Sequence, residues 1–343
     1  VSVDAAVFQE RDNALVLATH GRSLWVLDDA APLATLTAGA AARDAALLSV
    51  SKGRLMSTFT PQAWYGAGER FSPNPDWGVG ITYSLRDAAA GSAQITISDA
   101  AGKTVRTLAG PVARGVNHVE WDLRLAPPVD SANVPAAGGR GGGGGGRGGP
   151  PAAVPMGFPA GGGGGGRGGP PLGPLVMPGS YAVRITIPGV RALLTGTAVV
   201  EADPLPRFTA ADRAARQSLL MGIYAWTRVL GEARSAARTL TGQRDALRTD
   251  LGAAADSINA RVTRAAGDVD RAFNAVNAQR APIETWSGLP SVDQRKALGY
   301  AMEDARKALA AFNRIVSTDI PAAYKAAGKA WPAVVKPVAA PTP

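Results

Sequence analysis

The sequence predicts a multidomain β plus α chain, with strands up to about residue 205 and a helical bundle over 206–330. Three observations carry this. Val79, Ile81, Tyr83 and Leu85 alternate at period two, the spacing of a strand with one buried face. From Thr209 the apolar residues step by four and three instead, which is the stripe of an amphipathic helix. Between the last two strand patterns, residues 138–171 read GGRGGGGGGRGGPPAAVPMGFPAGGGGGGRGGPP, a composition with little apolar area and maximal backbone entropy that cannot fold alone.

The elements follow in order. VSVDAAVFQERDNALVLATHGRSLWVLDD reads as three short strands, Val3 to Phe8, Leu15 to Ala18 and Leu24 to Leu27, with Asp12-Asn13 and His20-Gly21 as turn signals. A lone three-strand meander cannot bury both faces, so these strands are expected to complete a sheet lying upstream of Val1. After a connector over 61–77, the period-two pattern runs through Val79–Leu85, Ile95 and Ile97, then Val119, Trp121 and Leu123, and later Tyr181, Val183, Ile185 and Ile187. Asp99-Ala-Ala-Gly102 supplies a turn with glycine at the positive-φ position. Short strands with turn signals over 78–205 predict an immunoglobulin-like β-sandwich. WDL precedes the Gly-rich stretch and PGSYAVRI follows it, so that stretch is read as an insertion between two strands of one sandwich. GGGGGGRGGPP occurs verbatim at 141–151 and at 161–171, a duplicated unit.

In the helical part, Leu219, Ile223, Trp226, Leu230, Ala233, Ala237 and Leu240 form one stripe that runs on through Leu247 and Leu251, interrupted at Arg244. Ile258 to Val276 and Leu298 to Val316 give a second and a third helix. Thr209-x-x-Asp212 and Ser291-x-x-Gln294 have capping-box spacing. About three antiparallel helices around one apolar seam are expected, followed by a loose Pro/Ala-rich tail over 331–343.

Several of these segments carry a resemblance. LVLATHGRSLWVLDD resembles the last blade of the BNR-repeat, sortilin-like β-propellers of secreted bacterial proteins, whose members are often labelled glycosyl hydrolases. The resemblance continues through Asn74-Pro75, GVGITYSL, ITISDAAGKTVRTL, VNHVEWDLR, GPLVMPGSYAVRI and the helical region, covering nearly the whole chain. ISDAAGKTVRTL, GVNHVEWDL and MPGSYAVRI resemble the Ig-like module of the flagellar hook-capping protein FlgD. The resemblance implies a propeller-blade remnant over 1–60, a FlgD-like sandwich over 78–205 and a location that is secreted, periplasmic or at the cell surface. It also implies that this is the C-terminal part of a longer protein, whose upstream propeller would be the first partner.

Composition narrows the chemistry. The 343 residues contain no cysteine and only two histidines, His20 and His118, which excludes disulfides, thiol catalysis and multi-His metal sites. No metal or other cofactor is expected. No run of about 18 apolar residues occurs, so no membrane span is predicted, and no signal peptide leads the chain. Of the net charge of +9, residues 209–330 carry 18 basic against 12 acidic residues and the Gly-rich stretch carries Arg140, Arg147 and Arg167. No block of consecutive Lys or Arg appears, which disfavours a dedicated nucleic-acid patch.

The candidate functional residues are few. Asp28 and Asp29 form a carboxylate pair of the type that serves glycoside hydrolysis, but adjacent strand residues point to opposite faces and are poorly placed to flank one bond. The chain lacks the S-x-D-x-G-x-x-W box of sialidases. His20 and Arg22 lie in one turn and could bind an anion, against the plainer reading of a turn packed on a blade edge. His118 faces away from Val119 and Trp121 and reads as a solvated strand residue. Trp64, Tyr65, Phe71 and Trp77 surround SPNPDWG. They form either a sugar-stacking platform or an extended connector packing its aromatics between blade and sandwich, and Pro73 and Pro75 favour the connector. Gly102-Lys103-Thr104 has strand–turn–strand flanks and no glycine five residues earlier, so it is a hairpin turn rather than a phosphate loop.

Three functions stay open on the sequence. The first is a non-catalytic structural or accessory region that closes and supports a propeller and binds a protein or glycan partner. The second is part of a glycoside hydrolase whose active site lies in the propeller. The third is weak nucleic-acid binding through the Gly/Arg stretch, where three arginines and one Phe158 supply little stacking or counterion release.

Overall fold

The computed structural model describes residues 2–11, 13–56, 78–129, 171–204, 208–286 and 288–341. These fall into two units. A β unit is drawn from 2–126 and 175–204, and a helical unit from 208–341 together with 127–129 and 171–174. Strands and helices are thus mixed in one chain, with the long helices at its C-terminal side. The Gly-rich stretch up to Pro170, and the connector containing Trp64, Tyr65, Phe71 and Trp77, lie outside the described residues.

The β unit begins with an antiparallel meander of β1 (Val3–Gln9), β2 (Ala14–Thr19) and β3 (Leu24–Leu27). Two short helices follow, α1 (Ala31–Thr35) and α2 (Ala38–Ala41). Two further sheets then close over one core. The smaller runs in the order β4 (Ala45–Val50), β6 (Val79–Leu85), β9 (Gly115–Trp121). The larger comprises β5 (Gly53–Leu55), β7 (Ala93–Ser98), β8 (Thr104–Gly110), β10 (Gly179–Thr186) and β11 (Leu194–Ala202), in the order β5-β11-β10-β7-β8. Every pairing is antiparallel except β5 with β11.

The period-two residues do what their spacing predicts. Val79, Ile81, Tyr83 and Leu85 meet Ile95, Ile97, Val183 and Ile185 across the two sheets, with Trp121 fully buried among them. Gly196 in β11 is required by this contact, since a Cβ there would come within 2.7 Å of Leu47 on the facing sheet. The turn at Asp99 forms with Gly102 at φ +78, and the Asp99 carboxylate accepts from the backbone of Ala101 and Lys103. Leu123 and Val176 join the ends of the long β9–β10 connection through a backbone hydrogen bond of 2.8 Å.

One expected boundary moves. Residues 45–55 belong to the two-sheet core, not to the blade-like meander expected to run to residue 60. β4 pairs with β6, β5 pairs with β11, and Leu47 and Val50 pack on the shared core. The chain changes sheets between Val50 and Gly53, with the Ser51 hydroxyl accepting from the Gly80 amide at 2.8 Å.

In the helical unit, α3 (Ala210–Gly242), α5 (Ala254–Ala278) and α7 (Val292–Arg314) are the long elements, with α5 packed against both others. Shorter pieces are α4 (Arg244–Leu251), α6 (Arg280–Glu284) and α8 (Ile320–Ala326), and a π-helical turn, Ile315–Asp319, separates α7 from α8. Both capping boxes form. Thr209 and Asp212 satisfy each other's backbone amides, as do Ser291 and Gln294. The stripe interruption at Arg244 coincides with a helix break at Gln243. Val129 also packs on this core, where Gly231 leaves room that a side chain would fill.

The segment after α8 is not loose. Val335 is part of the helical core and Trp331 and Val338 pack against it, so burial holds a sequence whose prolines keep it from being helical. Its start is fastened at Asp250 in α4, which accepts from the Tyr324 hydroxyl at 2.8 Å and pairs with Lys329 at 3.2 Å. These bonds, Tyr324 first and then Lys329, hold the Asp250 carboxyl below its usual range. Burial, then the bond to Asp250, pushes Tyr324 up to about 12. The signs give a two-sided pH dependence. The Asp250 contribution is present above the ordinary carboxylate pKa of about 4 and is lost as pH falls through the lower folded value. The Tyr324 contribution is present below about 10 and is lost as pH rises through about 12. Asp250→Asn is expected to lower the melting temperature of the helical unit at pH 7, and the difference from the parent chain is expected to shrink progressively as pH falls below about 4, as read by helical ellipticity across a pH series.

Candidate functional site

The meander β1–β2–β3 is the feature that burial within the chain does not account for. Its register sets Val7 beside Val16 and Val16 beside Val26, Ala6 beside Leu17 and Leu17 beside Trp25, and Phe8 beside Leu15 and Leu15 beside Leu27. Because neighbours along a strand point to opposite sides, one face carries Ala5, Val7, Val16, Ala18, Leu24 and Val26. The other carries Ala6, Phe8, Leu15, Leu17, Trp25 and Leu27. Both faces are therefore apolar. A sheet with one solvated face alternates apolar and polar residues, whereas strands covered on both faces read as continuous apolar runs.

Yet the outer strands β1 and β3 leave their apolar side chains exposed on both faces. On the first, Val7 is 61% exposed and Leu24 65%; on the second, Trp25 is 61% exposed and Phe8 51%. Among the described residues β1 and β3 each pair with β2 alone in this sheet. β3, Leu-Trp-Val-Leu, has neither the lysine nor the proline that usually guards an edge strand.

Of the sequence-selected residues, His20, Arg22, Asp28 and Asp29 lie in the turn between β2 and β3 and just after β3. His20 pairs with Asp4 at 3.4 Å, both well exposed, and not with Arg22 in an anion site. The Arg22 carbonyl accepts from the Trp25 indole at 3.2 Å, which pins the turn. Asp28 is exposed, while Asp29 is occupied structurally. One Asp29 oxygen accepts from Asn13 at 2.8 Å and from the Ala31 amide at 3.0 Å; the other accepts from Ser49 at 3.3 Å. Asp29 thereby ties the β1–β2 turn, the start of α1 and β4 together. His118 is exposed, with its Nδ1 2.9 Å from the Thr82 hydroxyl on the paired strand. Trp64 and Trp77 lie outside the described residues.

Tyr83 is fully buried, donates to the Pro111 carbonyl at 2.5 Å and is pushed by burial up to about 12. Among the described residues no group of three or more His, Cys, Asp or Glu is placed to hold a metal ion, and no helix is long and apolar enough to cross a membrane. Sequence reasoning missed the Asp29 hub, because its partners Asn13 and Ser49 are separated from it by intervening elements and leave no local signature.

No family model, curated protein or solved structure matches this chain.

Proposed function

We propose that this chain is a non-catalytic structural and accessory region of a secreted BNR-repeat, sortilin-like propeller protein. In this reading β1–β3 form part of a blade that takes its place between neighbouring sheets. The observation that carries it is the meander with two apolar faces, since an inserted blade covers both faces at once. Fully burying residues such as Trp25, Leu24 and Val7 would stabilise the assembly by about 1.5–3 kcal/mol each.

The sandwich supports the accessory part of the reading. With β4, β6 and β9 as the first, second and fifth strands and β7, β10 and β11 as the third, sixth and seventh, the strand order agrees with an immunoglobulin-like arrangement in which β8 pairs with β7. Tyr181, near the start of β10, donates its hydroxyl back to the Met177 carbonyl at 2.7 Å, the geometry of a tyrosine corner. Engagement of Asp29 as a structural hub favours a supporting role over a hydrolytic one for this region.

Hydrogen exchange tests the reading. In the isolated chain the amides of β1 and β3 exchange fast; joined to the sequence that precedes Val1 in the parent protein, they become protected at least tenfold. Trp25→Ser in the joined protein removes that protection while the sandwich amides stay slow. Equal exchange in both contexts, or a preceding sequence without repeated strand–turn patterns, overturns the proposal.

A further inference from the structure

Residues 331–341, Trp-Pro-Ala-Val-Val-Lys-Pro-Val-Ala-Ala-Pro, lie against the helical unit without forming helix or strand. Their attachment is specific. The Asn313 side chain, at the end of α7, donates through Nδ2 to the Val338 carbonyl at 2.8 Å and accepts the Val338 amide through Oδ1 at 2.9 Å. A carboxamide that satisfies both backbone groups of one residue reads extended main chain, as a neighbouring strand would, and is indifferent to the side chain there. Selectivity comes from the apolar anchors: Val335 is 8% exposed, and Trp331 and Val338 pack on the same core. The prolines hold the segment out of helix and reduce the entropy lost on docking. The π-helical turn begins two residues after Asn313, an irregularity of the kind concentrated at functional sites.

The attachment is also sparse. Seven of these eleven residues are exposed, so the contacts reduce to one side-chain clamp and three apolar anchors. Ala333 has φ +50, a left-handed conformation that a residue with a Cβ keeps only while its surroundings enforce it. Few buried contacts and a strained residue place a segment at the low-stability end of local unfolding.

From this we infer that the helical unit carries a peptide-recognition groove for an extended, proline-punctuated, valine-anchored segment, occupied in cis by residues 331–341. The occupied groove is the closed state, and a partner segment of the same chemistry binds by displacing the strap. This rests on the helical unit alone and stands whichever protein β1–β3 complete.

The probe is a fluorescent synthetic peptide of residues 331–341. It is expected to bind a chain truncated after Ala330 at least tenfold more tightly than the full chain. Asn313→Ala in the truncated chain, and serine in place of both valine anchors in the peptide, should each weaken binding about tenfold or more. Full helical ellipticity of the truncated chain with no binding, or equal binding by both chains, overturns the inference. The intact chain gives a second test that needs no truncation. Excess peptide should accelerate hydrogen exchange at the Val338 amide, and Asn313→Ala should do so about tenfold without peptide. An unchanged Val338 rate in both cases overturns the inference as well.

Discussion

Trp121→Ala is expected to destabilise the β unit by about 3–5 kcal/mol. The indole is fully buried in the shared core of the two sheets. Its ring meets Tyr181 edge-on at 5.2 Å, a contact that adds to simple area burial. Its Nε1–H donates to the Arg124 carbonyl at 3.0 Å, and Arg124 in turn bridges to Leu175. Truncation to alanine therefore leaves a cavity, deletes an aromatic pair and removes the indole donor to the Arg124 carbonyl, where the two ends of the β9–β10 connection meet. Trp121→Phe keeps most of the volume and the ring contact but not the donor, and should cost about 1–2 kcal/mol. Denaturant unfolding followed by the strand ellipticity of both variants separates the packing and hydrogen-bond parts. A loss below about 1 kcal/mol for the alanine variant would mean that Trp121 is not central to this core.

Trp121 also illustrates what was legible in the sequence. Its alternation with Val119 and Leu123 assigned it to a buried face, and every residue of the Val79–Leu85 and Tyr181–Ile187 patterns is buried as that rule requires. The capping boxes at Thr209 and Ser291 were equally readable, because both partners of each lie within four residues. What escaped reading depends on distant partners. β4 and β5 were not separated from the meander, since Ala-Ala-Leu-Leu-Ser-Val has no clean alternation and β4 carries a bulge between Leu47 and Ser49. Asp29 looked like half of a carboxylate pair until Asn13, Ala31 and Ser49 were placed around it. The strap over 331–341 looked loose because its composition is that of a linker; only the fold brings Asn313 to Val338, 25 residues along the chain. The two apolar faces of β1–β3, by contrast, were present in the sequence from the start, as strands too apolar on both sides for a meander standing alone.

Val269→Asp is expected to cost more than about 4 kcal/mol and to unfold the helical unit at neutral pH. Val269 is fully buried in α5, the helix that packs against both α3 and α7, so it has no solvent-facing rotamer to adopt. The substitution removes the apolar contacts of valine and places a carboxylate in the helical core. Single units of this size are stable by about 5–15 kcal/mol, so one such change removes much of the margin. Val269→Ala makes only a small cavity and should cost about 2 kcal/mol, which isolates the charge effect. The pH dependence then identifies the mechanism. Burial raises a carboxyl's pKa in the folded state above its unfolded value, so the folded form binds the extra proton and stability is regained as pH falls. Helical ellipticity of Val269→Asp should therefore be low at pH 7 and recover in part near pH 4, while Val269→Ala shows no such recovery. Among the described residues the helical and sandwich cores share no residue, so the slow amide exchange of β6 and β10 should persist in the aspartate variant at both pH values. Its loss together with the helices would show that the two units unfold as one cooperative system rather than each around its own core.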